Sequence, residues 1–249
     1  MRLTPAGQIV REHARAIGAR LATAQADLQS LVAGDLGPLR VGVFRSGPAA
    51  LLPGIVKRLT SKGEDLEIAI AEARDDDELL GMLAAGQIEI AFVHLPLGAE
   101  QFEHVELLQD EYLLVVGSES PLRRHPVPTL EELASLPLIG FKACRSFEQL
   151  NGWFGSHNVE PAWAVRSDDL ATIYQFVCAG WGAALLPHLA TLSLGSGVET
   201  VRLDCGLPPR RLGLAWSPAR AESGAAQRFL RAATDEAARF TRKRLLAVS

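Results

Sequence analysis

The chain has 249 residues, of which 48% are hydrophobic, and its formal net charge is −4 at pH 7. This length and apolar content suffice for a full hydrophobic core, built as one domain or as two lobes. The acidic balance excludes the broad basic surface with which proteins hold the phosphate backbone of DNA.

The N-terminal segment carries charges throughout and lacks the apolar stretch of a signal peptide. No apolar run in the chain reaches the ~18 residues that suggest a membrane-spanning helix. The three cysteines, Cys144, Cys178 and Cys205, form no CxxC pattern and leave an odd number, which favours free thiols. We therefore predict a cytoplasmic protein with no membrane partner.

The first predicted element is a long helix over residues 4–33. Thr4 is a suitable N-cap, Pro5 suits the first helical position, and Gly34 ends the helix. Apolar residues at heptad spacing run along one side of this helix, as in a coiled coil. They are Val10, Ala14, Ile17, Leu21, Ala24, Leu28 and Leu31. Packing of the helix on its own domain is the alternative, but that favours a wider apolar stripe. We predict helix-to-helix dimerisation.

Strands and helices then alternate along the chain. Apolar segments predict strands at 39–44, 66–73 and 88–95, and helices at 48–61 and 76–85 lie between them. This βαβαβ order implies a parallel sheet with right-handed crossovers. The first and third strands are almost entirely apolar, as strands covered on both faces usually are.

A strand at 111–117 and a turn-rich segment lead into a second α/β unit. Its predicted elements are strands at 136–141, 163–167, 182–187 and 198–205, with helices near 147–155 and 169–180. Another strand follows PPRR, and a long helix over about 221–244 closes the chain. Two such units joined by two crossings predict an α/β fold of two lobes around a cleft.

Four predicted helices begin with an arginine followed by a residue that can cap a helix. These pairs are Arg45-Ser46, Arg74-Asp75, Arg145-Ser146 and Arg166-Ser167. In open α/β sheets, ligands bind where the C-terminal ends of strands face helix N-termini, so we expect these pairs at the cleft. Ordinary helix capping beside a solvated arginine is the alternative reading of each pair.

Two of these starts could hold an anion. Ser46 and Gly47 would offer a hydroxyl and backbone N–H groups to a carboxylate, and Arg45 or Arg145 could pair with it. At the other start, Ser146 and the glutamine three residues later also fit a capping box, which requires no ligand.

Motifs of catalysis and of metal binding are missing from the sequence. There is no GxSxG, P-loop or GxGxxG, and the six histidines show no HxxxH or HxH spacing. We predict neither an enzyme, nor a cofactor, nor a metal site. Cys144 beside Arg145 could suit a redox sensor, but no second cysteine is placed to resolve it, so we interpret Cys144 as a small packing residue. We place Cys178 in the core.

Several segments together resemble the LysR-type transcriptional regulators. They are RLTPAGQ ahead of a long helix, GPLRVGVFRSGPAALLPGIVKRL, ELLGMLAAGQIEIAFVHLPL, ELLQDEYLLVVGSESPL and FVCAGWGAALLP. The resemblance runs nearly end to end and implies a dimerising linker helix followed by a two-lobed effector domain like the type II periplasmic binding proteins. RLTPAGQ resembles the end of the family's DNA-binding wing. We therefore expect a truncated product or a misplaced start, with DNA contacted only through the missing helix-turn-helix domain.

The resemblance also implies domain bounds and an assembly. Residues 1–36 would form the wing remnant and linker helix, 38–115 with 209–249 the first lobe, and 116–208 the second. The chain would form a homodimer or homotetramer. A solute-binding protein of a transporter shares the two-lobed fold and is the alternative, but the heptad helix and wing remnant argue against it.

The same resemblance implies an effector site in the cleft. Its expected residues are Ser46, Gly47, Asp75, Asp76, His94, Phe141, Ala143, Arg145, Ser146 and Ser167. His94 either faces the cleft or supports it. Asp76 departs from the uncharged hydroxyl residue common at its loop in the family. If Asp76 faces the ligand, the effector carries a cation as well as an anion; solvated acids in a first helical turn are the alternative.

Overall fold

The computed structural model describes residues 4, 6–7, 10–11, 13–14, 17–18, 21, 37–44, 48–61, 66–124, 128–142, 144–218 and 224–246. The strands are β1 Leu39–Phe44, β2 Ile68–Ala73, β3 Ile90–Leu95, β4 Glu103–Asp110, β5 Tyr112–Gly117, β6 Leu138–Gly140, β7 Trp163–Arg166, β8 Ala183–Pro187, β9 Val198–Arg202 and β10 Arg210–Trp216. The helices are α1 Leu52–Thr60, α2 Asp76–Ala84, α3 Leu130–Ser135, α4 Arg145–Ser156, α5 Leu170–Cys178, the single turn α6 His188–Thr191, and α7 Gly224–Leu246. Short 3-10 turns lie at Pro48–Ala50 and Pro121–Arg124.

The strands form two five-stranded sheets with the same pattern of connections. The first has the order β2-β1-β3-β10-β4, and the second has the order β7-β6-β8-β5-β9. In each sheet the first three strands of this order are parallel to one another. The fourth strand, β10 or β5, runs antiparallel to both of its neighbours. The predicted α/β fold of two lobes is confirmed.

The chain crosses between the lobes at two places. The first crossing is at residue 111, between β4 and β5, and the second lies between β9 and β10. We expected the first lobe to extend to residue 115, but β5 pairs with β8 and β9 over its whole length, so residues 112–115 belong to the second sheet. An apolar run identifies a strand but not the sheet that the strand joins, and this explains the error.

Each lobe has its own hydrophobic core. In the first lobe α7 covers the sheet, and Phe229 from this helix meets Phe92 of β3 edge-to-face with the ring centroids 6.4 Å apart. In the second lobe, one cluster around Leu114 and Phe154 and another around Ile139 and Ile173 fill the two faces of the sheet. The first-lobe core also takes in Leu189 of α6, so the lobes meet through an apolar contact as well as through polar ones.

The described residues near the N-terminus are helical between positions 6 and 21. The Oγ1 of Thr4 accepts from the backbone N–H of Gly7 at 3.1 Å, as expected of an N-cap. Val10, Ile17 and Leu21 are 66%, 60% and 63% exposed on the single chain, and Ala14 is exposed as well. Ala24, Leu28 and Leu31 lie outside the described residues. Within the part of the chain that the structure describes, no helix is both long and apolar enough to cross a membrane.

Candidate functional site at the boundary of the lobes

The start of α4 in the second lobe meets the C-terminal end of β3 and the start of α2 in the first lobe. Arg145, the first residue of α4, donates through Nη1 to the Oδ2 of Asp76 and to the carbonyl of His94, both at 3.1 Å. Its Nη2 donates to the carbonyl of Pro96 at 2.6 Å. One guanidinium thus makes three hydrogen bonds from the second lobe to the first.

Asp76 and His94 form a buried pair beneath this arginine. Both residues are 7% exposed. His94 donates its backbone N–H to the Oδ2 of Asp76 at 3.2 Å, and its Nδ1 lies 3.1 Å from Oδ1. The imidazole ring stacks on Phe44, at the end of β1, with the ring centroids 4.3 Å apart. The position of the histidine ring is therefore fixed on one edge by a carboxylate and on one face by an aromatic ring.

The charge states of this pair follow from burial and from the partners. Burial by itself raises the pKa of Asp76, but the hydrogen bonds and charges of His94 and Arg145 bring that pKa below its usual value. Burial lowers the pKa of His94, and the nearby guanidiniums of Arg210 and Arg145 lower it further against the opposing effect of Asp76. At neutral pH the site therefore holds an ionised Asp76, a neutral His94 and a cationic Arg145.

A second polar cluster lies where the chain crosses between the lobes. Asp110 and Arg210 are cross-strand neighbours on β4 and β10, each with a side chain 1% exposed and with an Nη2 to Oδ2 distance of 2.8 Å. The Oδ1 of Asp110 accepts from the backbone N–H of Leu189 in the second lobe at 3.0 Å. The Nη1 of Arg210 donates to the Oγ of Ser146 at 3.3 Å. This ion pair therefore holds groups of both lobes.

The first turn of α4 is also tied to the crossings. The phenol of Tyr112 donates to the carbonyl of Ser146 at 3.3 Å, and the side-chain amide of Gln149 donates to the carbonyl of Pro208 at 2.9 Å. Burial raises the pKa of Tyr112 to about 12, so the phenol stays protonated. The start of α4 is thus bound to the first lobe and to both crossings.

Comparison with known proteins identifies the fold. The family model described as the LysR substrate binding domain matches residues 33–238. The chain belongs to this family. The LysR domain resembles a probable hydrogen peroxide-inducible genes activator of Streptomyces viridosporus, with 26% identity over 86% of this chain and 70% of the relative. It also resembles the DNA-binding transcriptional dual regulator OxyR of Escherichia coli, with 28% identity over 73% of this chain and 60% of the relative. The chain thus spans 60–70% of the length of these two curated relatives.

Solved structures show the same architecture. The OxyR C206 mutant of Corynebacterium glutamicum aligns with a TM-score of 0.70 and 26% identity over 99% of this chain and 78% of that one. CbnR, a LysR family transcriptional regulator, aligns with a TM-score of 0.72 over 95% of this chain and 82% of that one. At 19% identity this second likeness shows the fold alone. The relatives named here are transcriptional regulators.

Four of the predicted site residues of the LysR domain come together: Asp76, His94, Arg145 and Ser146. Asp75 instead caps α2, accepting the backbone N–H of Glu78 at 2.9 Å. Other predicted positions lie apart from this cluster or outside the described residues. Ser167 accepts the backbone N–H of Asp169 at 3.1 Å, Phe141 is buried in the second-lobe core, and Ser46, Gly47 and Ala143 lie outside the described residues.

The predicted capping box at Ser146 is wrong. The α4 helix starts at Arg145 with Cys144 as its N-cap residue, and no side chain caps it. Ser146 therefore lies inside the helix, buried, where its Oγ accepts from Arg210. No signal in the sequence points to Asp110 and Arg210, because the two adjacent arginines of PPRR look alike and only the sheet pairing turns Arg210 inwards.

The described cysteines are all free thiols. Cys144 is half-buried, and burial raises the pKa of its thiol against the lowering effect of the Phe147 and Ser146 backbone N–H groups. Cys178 is exposed rather than in the core, because Ile173 and Val177 already occupy the inward face of α5. Among the residues that the structure describes, no group of three or more His, Cys, Asp or Glu side chains could hold a metal ion.

Proposed function

We propose that this chain is the effector-sensing and oligomerisation region of a longer, cytoplasmic LysR-type transcriptional regulator. A small molecule bound between the lobes changes how they meet, and the linker helices pass that change to DNA-binding domains. The family match supports effector sensing. The observation that carries the proposal is Arg145, whose three hydrogen bonds to the first lobe can be exchanged for bonds to a ligand.

Such a switch requires the effector to prefer one arrangement of the lobes. A ligand shifts an equilibrium only by the difference between its affinities for the two states. At the lobe boundary that difference arises if the ligand competes with Arg145 for the carbonyls of His94 and Pro96, or if it pairs with the guanidinium itself. The region is polar and its charges balance, since Asp76 and Asp110 face Arg145 and Arg210.

We propose an anionic effector rather than a zwitterion. The two carboxylate oxygens of Asp76 already accept from His94 and Arg145, so they are committed to protein donors. An effector ammonium would have to displace one of these donors and would stand beside two guanidiniums. An effector carboxylate would instead meet Arg145, and Ser46 and Gly47, which lie outside the described residues, are proposed as its second contact.

A thermal-shift screen of matched pairs tests this function. Each pair consists of a simple carboxylate and the α-amino acid with the same carbon skeleton, such as propionate and alanine. A ligand at 100 times its Kd adds about 2.7 kcal/mol, or roughly 5–10 °C in a chain of this size. We expect carboxylates to raise the Tm of the wild type and not of Arg145→Gln. Arg74→Gln, at an exposed arginine in a similar helix start, is the control. Shifts by the α-amino members alone would refute the anionic proposal.

The linker helix is proposed as the oligomerisation element. Val10, Ile17 and Leu21 form an exposed apolar row on the single chain, and a heptad seam of this kind is buried when two helices pair. We expect the wild type to be a dimer or tetramer at micromolar concentration, and Ile17→Lys with Leu21→Lys to be monomeric. Analytical ultracentrifugation measures this, and a double variant that keeps the wild-type mass would contradict the proposal.

A second candidate function is a response to hydrogen peroxide, suggested by the name of the Streptomyces relative, a probable hydrogen peroxide-inducible genes activator. One observation favours it here: the backbone N–H groups of Phe147 and Ser146 lie near the Cys144 sulfur and stabilise a thiolate, against the burial that raises the thiol pKa. The thiol and peroxide would give a sulfenic acid and water, with an S–O bond formed and the O–O bond broken. Mass spectrometry would show a gain of about 16 Da in the wild type and none at this position in Cys144→Ser.

A further inference from the structure

The proton on His94 can be placed from the geometry of its partner. Asp76 is ionised, and an ionised carboxylate can only accept hydrogen bonds. The Nδ1 of His94 lies 3.1 and 3.2 Å from the two oxygens of Asp76, so Nδ1 carries the proton and donates it to the carboxylate. Because the ring is neutral, its other nitrogen, Nε2, has no proton and presents a lone pair.

The Nε2 atom is buried and lacks a hydrogen-bond partner among the described residues. It lies on the edge of the ring away from Asp76. Arg145 and Arg210, at the lobe boundary, are close enough to lower the pKa of the ring. Buried polar atoms in native proteins nearly always have a partner, so an unpartnered atom at the boundary between two lobes is a candidate contact for a ligand.

The direction of this lone pair is fixed. The ring is stacked on Phe44 with an interplanar angle of 28°, and Phe44 itself has Arg210 above its ring, 5.7 Å from the centroid. Asp76 holds the opposite edge, and the backbone N–H of His94 bonds to the same carboxylate. A ring held on one face and one edge cannot turn Nε2 to another described partner, so the donor has to come to Nε2 where it lies.

We propose that His94 Nε2 is the recognition point for a hydroxyl or amide N–H of the effector, which makes the effector class a small anion that also carries such a donor. This inference rests on the proposed effector-sensing function and adds the donor to it. An ammonium donor would satisfy Nε2 but would stand near the Arg145 and Arg210 guanidiniums. A hydroxyl or amide donates without that repulsion. An ether oxygen at the same place has no hydrogen to donate, and its lone pairs would repel the lone pair of Nε2.

The protonation pattern is testable without any ligand. Nitrogen NMR of the full chain labelled with [15N]histidine distinguishes a protonated ring nitrogen from a bare one, and the spectrum of His94→Asn assigns the signals of His94. We expect Nδ1 protonated and Nε2 bare at pH 7 and above. A ring protonated at Nε2, or doubly protonated at pH 7, would overturn the inference before any effector is known.

Matched ligands test recognition itself. Glycolate with methoxyacetate, and lactate with 2-methoxypropionate, differ by replacing the hydroxyl hydrogen with a methyl group. By calorimetry we expect each hydroxy acid to bind the wild type at least tenfold more tightly than its ether. His94→Asn keeps an amide donor towards Asp76 but has no acceptor at the Nε2 position, so its ratio should fall close to one. His104→Asn, at an exposed histidine of β4, should keep the wild-type ratio.

The outcomes separate the inference from the function beneath it. Equal affinities of hydroxy acid and ether for the wild type would overturn donor recognition and leave the effector function standing. An unchanged ratio in His94→Asn would show that another group reads the hydroxyl, which also overturns the assignment to His94. If no carboxylate of either series binds, the proposed anionic-effector function fails, and the donor inference fails with it.

Discussion

Replacing Arg145 by glutamine removes the guanidinium that joins the two lobes. Three hydrogen bonds disappear, to Asp76, to the His94 carbonyl and to the Pro96 carbonyl. The substituted amide is shorter and uncharged, so it cannot reproduce them. Asp76 is 7% exposed and loses one of its donors, but it keeps the backbone N–H and the Nδ1 proton of His94.

The size of the effect follows from these contacts. A hydrogen bond to a charged group contributes about 1.5–3 kcal/mol when both partners are buried. The side chain of Arg145 is 38% exposed, so water replaces part of what is lost and screens the ion pair. We therefore expect the free energy of unfolding to fall by about 2 kcal/mol, which lowers the Tm by roughly 4–8 °C in a chain of this size.

Thermal and urea unfolding of Arg145→Gln, with Arg74→Gln as the matched control, measure this loss. Arg74 also stands at a helix start, but among the described residues its side chain pairs only with Glu78. That side chain is 78% exposed, so we expect less than about 0.5 kcal/mol from its replacement. A double-mutant cycle of Arg145→Gln with Asp76→Asn should give a coupling energy of about 1–2 kcal/mol. Equal effects of the two arginine variants, or a coupling energy near zero, would refute the view that Arg145 holds the lobes together.

Three further results are expected. The pKa of His94 is lowered in the folded state, so as the pH falls through about 6.5 the unfolded chain takes up a proton at this histidine before the folded chain does. The free energy of unfolding is therefore at its full value above about pH 6.5 and falls below that pH. A His94→Asn variant whose Tm drops as much as that of the wild type between pH 7.5 and 5.5 would contradict this. A Cβ at Gly182 would collide with a main-chain carbonyl, whereas one at the helical Gly81 would meet nothing within 4 Å. In urea unfolding we therefore expect Gly182→Ala to lower the free energy of unfolding by about 2 kcal/mol or more and Gly81→Ala to raise it by up to about 1 kcal/mol. Asp110→Asn removes the carboxylate charge that pairs with the buried Arg210 guanidinium and should cost about 3–5 kcal/mol in the same assay. A loss below about 1 kcal/mol would show that this ion pair is not what joins the lobes.

The local pattern of the sequence was enough for most of the elements. The strand β1 spans Leu39–Phe44, as predicted, because its apolar residues and flanking turn signals are all local. Some elements were missed, one for lack of a clear pattern and one in spite of a local signal. The strand β4 alternates exposed and buried residues at a sheet edge and carries several charges. The short helix α3 has a capping box of Thr129 and Glu132, a signal that the sequence did contain.

The candidate site could be predicted only in part. Asp76, His94 and Arg145 follow from the rule that ligands bind at strand ends, and the family resemblance selects the loops. The sequence did not show that these three side chains bind one another. It suggested an Asp76 free to meet a ligand cation, whereas the carboxylate is occupied by the protein's own donors.

The sequence by itself determined the α/β alternation, the two lobes and the position of the loops at the strand ends, because hydrophobic periodicity and helix-start chemistry act between residues a few positions apart. Only the tertiary structure decided which polar groups meet. Asp76 and Arg145 are 69 residues apart in the chain, and Asp110 and Arg210 are 100 apart. Such pairs form because the two crossings bring distant strand ends together, where a buried charge requires a partner, and no local pattern says which partner that is.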